Sequence, residues 1–174
     1  LGSSIGVNKV RDEQGFIRAV REAFLYDSKI LIEEYIKGRE VVCSVLGGDE
    51  PIASIPGEII PSHEFYSYEA KYIDDNGAQI VIPAQVSLDT SEKIKTLAVQ
   101  TYTTLSCYGF GRVDLFLTET GSLYVNEINT IPGFTSHSMY PKLWEASGMS
   151  CTELVDRLIE LALERFEKKK RLRQ

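Results

Sequence analysis

The sequence is poor in the residues that build disulfide scaffolds. Its 174 residues include three cysteines, none of them in a Cys-x-x-Cys spacing, and two histidines. An odd, widely spaced set of cysteines favours free thiols over a disulfide framework. We therefore predict that Cys43, Cys107 and Cys151 are reduced thiols in the core of a cytosolic protein.

Positive charge and long apolar runs are also scarce. Lys and Arg total 19 against 25 Asp and Glu, which gives a net charge of -6. An acidic chain of this kind argues against general binding to nucleic acid or to anionic membranes. No run approaches the length of a membrane span, and no signal-peptide pattern opens the chain. We expect a cytoplasmic protein without nucleic-acid or membrane partners.

The chain lacks an initiator methionine. It begins at Leu1 and continues at once into a loop rich in glycine and serine, residues 1–7. Because such loops normally follow a strand, we expect the chain to be a fragment of something longer. Glycine N–H groups and serine hydroxyls are suited to binding an anion, although a plain turn accounts for the same residues.

The most informative stretch is a predicted β-hairpin at residues 111–129. Two apolar runs flank a turn that contains Gly121. A turn centred between Thr120 and Gly121 sets Asp114 opposite Glu127 and Arg112 opposite Asn129, with all four side chains on one face. Opposed carboxylates repel, and a bound cation would offset that repulsion. Carboxylate and amide oxygens are ligands that Mg²⁺ prefers, together with substrate phosphates.

The remaining elements mix helices and strands. Apolar periodicity predicts a helix over 12–26 with Asp12 as its cap, strands over 30–36 and 39–46, and a strand over 52–60 interrupted at 56–57. It predicts a further strand at 80–83 and helices at 89–107, 141–146 and 152–168. Antiparallel hairpins among helices indicate an α+β fold. Glu40 is either an outward polar residue or a ligand to a hydroxylated group such as ribose.

Residues 61–79 have no clear periodicity. A loop of this length is usually functional or disordered, and its aromatic residues make disorder the less favoured choice. A lid over a site is the sharper interpretation, and an ordered surface loop is the alternative.

Five stretches occur in the order found in one enzyme family. They are residues 2–7, 31–36, 65–72, 111–114 and 126–138. With these motifs the chain resembles the C-terminal part of a D-alanine–D-alanine ligase of the ATP-grasp superfamily. The resemblance implies an ATP-grasp C-terminal domain, with an antiparallel sheet flanked by helices, that is truncated at its N-terminus. It divides the chain into a nucleotide-clasping portion (1–60), a lid loop (61–79) and a metal and substrate portion (80–174), with the N-terminal domain absent.

The resemblance also implies roles for individual residues. Two Mg²⁺ ions, or Mn²⁺ in their place, would be held by Asp114, Glu127 and Asn129. Arg112 would stabilise the transferred phosphoryl group, a role for which we judge it better placed than for a salt bridge to either carboxylate. The Gly133 N–H would donate to an oxyanion, and Ser138 would hold the carboxylate of the second D-alanine. His137 is assigned to the orientation of Ser138 or of the lid.

Nucleotide contacts are implied in the same way. The adenine slot would be lined by Glu33, Tyr35 and Ile36, with Glu40 on the ribose. The lid would contribute Phe65 near the nucleotide and Lys71 on the phosphates, and Tyr72 would close it by bonding to Ser3.

The implied activity is ATP-dependent ligation of two D-alanines through an acyl phosphate, for peptidoglycan precursor synthesis, by a protein that is a homodimer when intact. Alternatives are a D-alanine–D-serine ligase, another ATP-grasp carboxylate–amine ligase and a non-catalytic nucleotide-binding module. Because the N-terminal half of the family is absent, this fragment alone is expected to be inactive.

Overall fold

The computed structural model describes residues 5–61, 78–135 and 137–172. The chain forms two compact units. The first comprises residues 1–37 and 60–79, and the second comprises residues 38–59 and 80–174. The predicted lid, apart from its first residue and its last two, lies outside the described residues, as do Ser3 and Ser136.

The first unit contains helix α1 (Glu13–Ala23). Asp12 caps it as predicted, since its Oδ1 accepts a hydrogen bond from the Gly15 N–H at 2.6 Å. The helix is shorter than predicted at its C-terminal end and has no buried residue.

The strand predicted at 30–36 is wrong. These residues have no regular secondary structure, and Leu31, Ile32 and Tyr35 are 78%, 68% and 59% exposed. A strand is completed by backbone hydrogen bonds to a neighbouring strand, and no described residue pairs with this segment. Tyr35 instead lies under the Lys9 ammonium, 3.6 Å from the ring centroid.

The second unit is organised on an antiparallel sheet. The strands of the sheet are β1 (Arg39–Gly47), β2 (Ile52–Ala53), β3 (Gly57–Pro61), β4 (Ala78–Val81), β5 (Gly109–Leu117) and β6 (Leu123–Asn129). All belong to the second unit except the last two residues of β3 and the first two of β4, which are assigned to the first unit. The order across the sheet is β4-β3-β1-β5-β6, and β2 pairs with β1. The long pairing of β1 with β5 runs from Arg39 opposite Leu117 to Gly47 opposite Gly109. The predicted antiparallel α+β fold is confirmed.

Three helices belong to this unit, namely α2 (Leu88–Thr104), α3 (Met139–Ala146) and α4 (Cys151–Arg171). Each agrees with a predicted helix to within three residues at either end. Ser87 caps α2, and a capping box formed by Ser150 and Glu153 begins α4.

Alternation along the strands divides the hydrophobic residues between two cores. One core joins α2 to one face of the sheet through Val41, Cys43, Val45, Val113, Leu115, Ile94, Ala98 and Tyr102. The other joins α3 and α4 around Leu46, Tyr140, Trp144, Leu154 and Leu161. Arg112 and Asp114 share a strand face with Phe110, which packs against this second core. The candidate site therefore continues the sheet face that α3 and α4 cover.

The cysteines are free, as predicted, but they are not all in the core. Cys43 is buried, Cys107 is half-buried and Cys151 is exposed. Cys151 is the first residue of α4 and lies on the side of that helix that faces solvent. Among the described residues, none of the helices combines the length and apolar character that a membrane span requires.

Candidate functional site

Strands β5 and β6 form the predicted hairpin. Arg112 pairs with Asn129 and Asp114 pairs with Glu127. Residues directly opposite each other in an antiparallel pair project on the same side, so these four side chains share one face. The pairings on which the metal hypothesis depends are therefore confirmed.

The turn that produces this register differs from the prediction. Near the turn, Leu117 pairs with Leu123, whereas a turn centred between Thr120 and Gly121 would set Leu117 opposite Tyr124. The Gly121 N–H donates to the Thr118 carbonyl at 3.0 Å, and Gly121 has a φ of +81°, a conformation that favours glycine. The predicted turn centre is wrong by half a residue.

A β-bulge restores the expected pairing at the site. The register shifts between Asp114, which pairs with Glu127, and Leu115, which pairs with Val125, so Asn126 is an extra residue in β6. A bulge redirects the side chains that follow it and is frequent beside active sites. Without it, Glu127 would not lie opposite Asp114.

Arg112 and Asp114 form a bidentate ion pair. Arg112 Nε lies 2.7 Å from Asp114 Oδ1, and Nη2 lies 2.7 Å from Oδ2. We predicted that Arg112 is better placed for the transferred phosphoryl group than for a salt bridge to either carboxylate, and the bidentate pair with Asp114 contradicts that preference. Residues two apart on a strand project on the same side about 7 Å apart, within reach of an arginine side chain. Asp114 is only 3% exposed, so the guanidinium compensates a buried charge.

The electrostatics of the face are centred on Arg112. Burial acts to lower the pKa of Arg112, but its hydrogen bond to Asp114 and the charges of Asp114, Glu127 and Glu40 raise that pKa above its ordinary value. Glu40 therefore belongs to this charged face as well. Among the described residues, Asp114 and Glu127 lie opposite each other beside this guanidinium, and two opposed carboxylates are suited to an added cation.

The remaining predicted ligands are more accessible. Glu127 is exposed, and Asn129 is half-buried with its Oδ1 accepting from the Ile131 N–H at 3.2 Å. No cluster of three or more His, Cys, Asp or Glu side chains suited to a metal occurs in the described ranges. Two carboxylates and an amide oxygen nevertheless fit a Mg²⁺ ion that takes its other ligands from substrate phosphates. Each Asp114 oxygen keeps a lone pair beyond its bond to Arg112.

The segment after β6 leads directly to Ser138. Its hydroxyl oxygen accepts a hydrogen bond from the Thr135 N–H at 3.0 Å and lies 2.9 Å from Thr135 Oγ1. A Cβ atom at Gly133 would lie 2.9 Å from that oxygen. His137 is exposed, and the Phe134 ring lies 6.0 Å from that of Tyr140.

The predicted nucleotide residues are divided between the two units. Glu33, Tyr35 and Ile36 belong to the first, and Glu40 belongs to the second with Arg112 and the metal face. Phe65, Lys71 and Tyr72, like Ser3, lie outside the described residues. Within the second unit, the structure brings together Glu40, Arg112, Asp114, Glu127 and Asn129.

Comparison with known proteins identifies the family. A family model described as the D-ala D-ala ligase C-terminus matches residues 1–160. The chain belongs to the D-alanine–D-alanine ligase family. The predicted resemblance is confirmed.

Two relatives illustrate the similarity of the chain to D-alanine–D-alanine ligases. The D-alanine–D-alanine ligase of Shouchella clausii is 58% identical over 172 residues, which cover 99% of this chain and 47% of the relative. D-alanine–D-alanine ligase A of Salmonella typhimurium is 57% identical over 164 residues, which cover 94% of this chain and 45% of the relative. The chain thus spans slightly less than half the length of these relatives.

Solved ligase structures agree with the fold. The D-alanine–D-alanine ligase of Coxiella burnetii superposes with a TM-score of 0.88 at 42% identity, covering 99% of this chain and 45% of that one. The VanG D-Ala:D-Ser ligase of Enterococcus faecalis gives a TM-score of 0.83 at 42% identity, covering 92% of this chain and 46% of that one.

The family motifs did not single out Thr135, which holds the Ser138 hydroxyl through both its backbone and its side chain. The available signal was the spacing of two hydroxyl residues three positions apart just before a predicted helix. Such residues often form local hydrogen bonds with each other or with the backbone.

Proposed function

We propose that this chain is the C-terminal half of a cytoplasmic ligase that joins two D-alanines at the expense of ATP, for peptidoglycan precursor synthesis. The observation that carries the proposal is the hairpin face. Asp114 lies opposite Glu127 and Arg112 lies opposite Asn129, and the segment leading to Ser138 follows at once. The names of four relatives at 52% to 58% identity supply the substrate.

The proposed reaction has two steps. The carboxylate of the first D-alanine takes the γ-phosphoryl group of ATP, which yields ADP and an acyl phosphate. The amine of the second D-alanine then attacks the acyl carbon, and phosphate leaves. Phosphoryl transfer depends mainly on positioning and on charge stabilisation, which the protein supplies from fixed groups.

Arg112 and the acceptor segment would supply those groups. The guanidinium of Arg112 would stabilise charge on the transferred phosphoryl group, and the Gly133 N–H would donate to the oxyanion of the tetrahedral intermediate. Ser138 would hold the carboxylate of the second D-alanine, oriented with help from His137. The half-buried position of Arg112 supports this role, because burial strengthens its interaction with a developing negative charge.

Asp114, Glu127 and Asn129 would hold the divalent metal, two Mg²⁺ ions in our proposal with Mn²⁺ as a substitute. When bound, these ions would neutralise charge on the phosphate oxygens. The donors are hard oxygens, and Glu127 is accessible on the same face as buried Asp114.

The nucleotide contacts remain proposals from the family resemblance. Adenine would contact Glu33, Tyr35 and Ile36, and the ribose would bond to Glu40. Phe65, Lys71 and Tyr72 would form the lid over the phosphates, with Tyr72 bonding to Ser3. A closed lid would protect the acyl phosphate from water.

Phosphate release by the full-length protein that carries this chain tests the proposal. We expect D-alanine to stimulate release of phosphate from Mg·ATP and L-alanine to leave the rate at its background. Mass spectrometry should identify D-alanyl-D-alanine as the product. Failure of every D-amino acid to stimulate turnover would overturn the proposal and favour another ATP-grasp carboxylate–amine ligase.

A mixture of D-alanine and D-serine tests the second candidate, which the similarity to the VanG D-Ala:D-Ser ligase favours. We expect the dipeptide of D-alanine to dominate at equal concentrations. A majority of D-alanyl-D-serine would show that the acceptor site selects serine.

A further inference from the structure

The Ser138 hydroxyl is held in an unusual way for its position. Ser138 is the N-cap residue of α3, where a serine side chain commonly accepts a hydrogen bond from the first turn of the helix, but here it makes no such bond. The hydroxyl turns instead to Thr135, accepting from its N–H at 3.0 Å and lying 2.9 Å from its Oγ1. The first turn of α3 therefore lacks a side-chain cap, and the Ser138 hydroxyl is held by Thr135 instead.

The bonds to Thr135 determine which hydrogen bonds the Ser138 hydroxyl can still make. A serine hydroxyl has one proton to donate and two lone pairs to accept with. The Thr135 N–H occupies one lone pair. When the Thr135 hydroxyl donates to the other, Ser138 is saturated as an acceptor and its proton is free to donate outward. A hydroxyl in that state recognises an anion and has no lone pair left for an ammonium group.

We propose that Thr135 is a positioning residue that turns Ser138 into a dedicated hydrogen-bond donor for the carboxylate of the acceptor amino acid. This inference rests on the proposed function, because it takes Ser138 as the carboxylate contact. Thr135 contributes through two atoms, its N–H and its Oγ1, and only the second can be removed by changing the side chain. The proposed role belongs to the threonine hydroxyl.

Gly133 also contributes to this arrangement, because it has no side chain near the Ser138 hydroxyl. A Cβ atom at Gly133 would lie 2.9 Å from Ser138 Oγ and 3.7 Å from its Cβ, closer to the hydroxyl than carbon normally approaches. The backbone of Gly133 does not have a positive φ, so alanine is tolerated conformationally and conflicts only with the hydroxyl. Because Gly133 has no side chain, the Ser138 hydroxyl can take the position in which it bonds to Thr135.

Two variants of Thr135 in the full-length protein provide the test. Thr135→Val keeps the shape of the side chain and the N–H but removes the hydroxyl, whereas Thr135→Ser keeps the hydroxyl. We expect Thr135→Val to raise the KM of the acceptor D-alanine about 5- to 10-fold, the loss of one hydrogen bond. The KM of ATP and of the first D-alanine should stay within about twofold, and Thr135→Ser should restore the acceptor KM.

The thermal stability of Thr135→Val and the acceptor KM of a Gly133 variant distinguish a positioning role of Thr135 from a general loss of structure. Thr135 is exposed, so Thr135→Val should leave the midpoint of thermal unfolding of the full-length protein within about 1 °C of that of the unmodified protein. Gly133→Ala, which displaces the Ser138 hydroxyl without touching Thr135, should raise the acceptor KM in the same direction.

The outcomes distinguish this inference from the proposed function. If the unmodified enzyme joins D-alanines and Thr135→Val has an unchanged acceptor KM, the positioning role is wrong and the ligase function stands. The role is also wrong if Thr135→Val raises the KM of ATP and of the acceptor equally, or if Thr135→Ser fails to restore the acceptor KM. An unmodified enzyme that turns over no D-amino acid contradicts the function itself.

Discussion

The two carboxylates that face each other across the hairpin have different surroundings. Both oxygens of Asp114 bond to Arg112, and the residue is 3% exposed. Glu127 lies opposite it on the exposed strand β6. The sequence places them symmetrically, but only Asp114 contributes a buried charge to the folded chain. Neutralising them should therefore have different consequences.

We expect Asp114→Asn to lower the free energy of unfolding of this chain by about 3 kcal/mol, because it leaves a half-buried guanidinium without its carboxylate. Glu127→Gln should change it by less than about 0.5 kcal/mol, as is usual for exposed positions. Both variants should abolish Mg·ATP turnover in the full-length protein. Urea unfolding of the 174-residue chain gives the stabilities.

A second ion pair of the same geometry offers a matched control. Arg39 Nε and Nη2 bond to the two oxygens of buried Glu58 at 2.7 and 2.6 Å. Glu58→Gln should also lower stability, by less than Asp114→Asn because the Arg39 side chain is 43% exposed against 20% for Arg112, while leaving metal binding by the hairpin face unchanged. Equal stability of Asp114→Asn and Glu127→Gln would contradict the structural role of the Arg112 pair, and full activity in either would contradict the metal assignment.

Among the helices and strands, the sequence predicted correctly those elements whose formation depends on residues close together in the chain. The Asp12 cap, the periodicity of α2 and α4 and the turn glycine of the hairpin each act within a few residues, and these elements formed. The segment 30–36 has the same apolar character as a strand, but a strand needs a partner and local sequence does not supply one. The bulge at Asn126 was equally invisible, because it is defined by the pairing of two strands.

The candidate site shows the same contrast between features set by nearby residues and features set by strand pairing and packing. The opposition of Asp114 and Glu127 followed from counting residues about a turn, although the count was right only because the bulge compensated a misplaced turn centre. The bond from Arg112 to Asp114 depends on side-chain reach and burial, which a pattern of residue types does not contain. The placement of Glu40 on the same sheet face as Arg112 required the pairing of β1 with β5, which sets Glu40 opposite Phe116.

The capping box of α4 predicts a pH dependence. The hydroxyl of Ser150 and its backbone N–H both donate to Glu153 Oε2, at 2.7 and 2.8 Å, and they lower the pKa of Glu153. A lowered folded-state pKa stabilises the fold above the unfolded pKa, about 4.3 for glutamate, and this contribution is lost as the pH falls through the folded value. The Tm gap between the unmodified chain and Glu153→Gln should therefore be positive at pH 7 and close below pH 4.

Circular dichroism melts at a series of pH values measure that gap. Asp156→Asn is the matched control, since it changes a carboxylate one turn further along α4 and outside the capping box. A gap for Glu153→Gln that stays constant down to pH 3, or one that Asp156→Asn reproduces, would show that the carboxylate of Glu153 does not stabilise the helix start.

At the scale of the whole molecule, the three cysteines of the second unit differ in their degree of burial. Cys43 lies in the core beneath α2 and donates to the Ser54 carbonyl at 3.4 Å. Burial raises the pKa of Cys43 to about 12 and also raises the pKa of half-buried Cys107. Cys151 is exposed on α4. The thiolate is the reactive form, so reactivity should fall from Cys151 to Cys107 to Cys43.

Thiol labelling of the native chain can therefore measure the stability of the second unit. Cys43 is enclosed between the sheet and α2, so a reagent should reach it only when this core opens. We expect Cys43 to react at least about 10³-fold more slowly than Cys151 at neutral pH, with peptide mass spectrometry assigning each site. Sub-denaturing urea should accelerate Cys43 labelling exponentially and leave Cys151 nearly unchanged, because only the first requires exposure of buried surface. Comparable rates at the two sites, or a Cys43 rate independent of urea, would mean that the core around β1 opens locally and does not unfold as one unit.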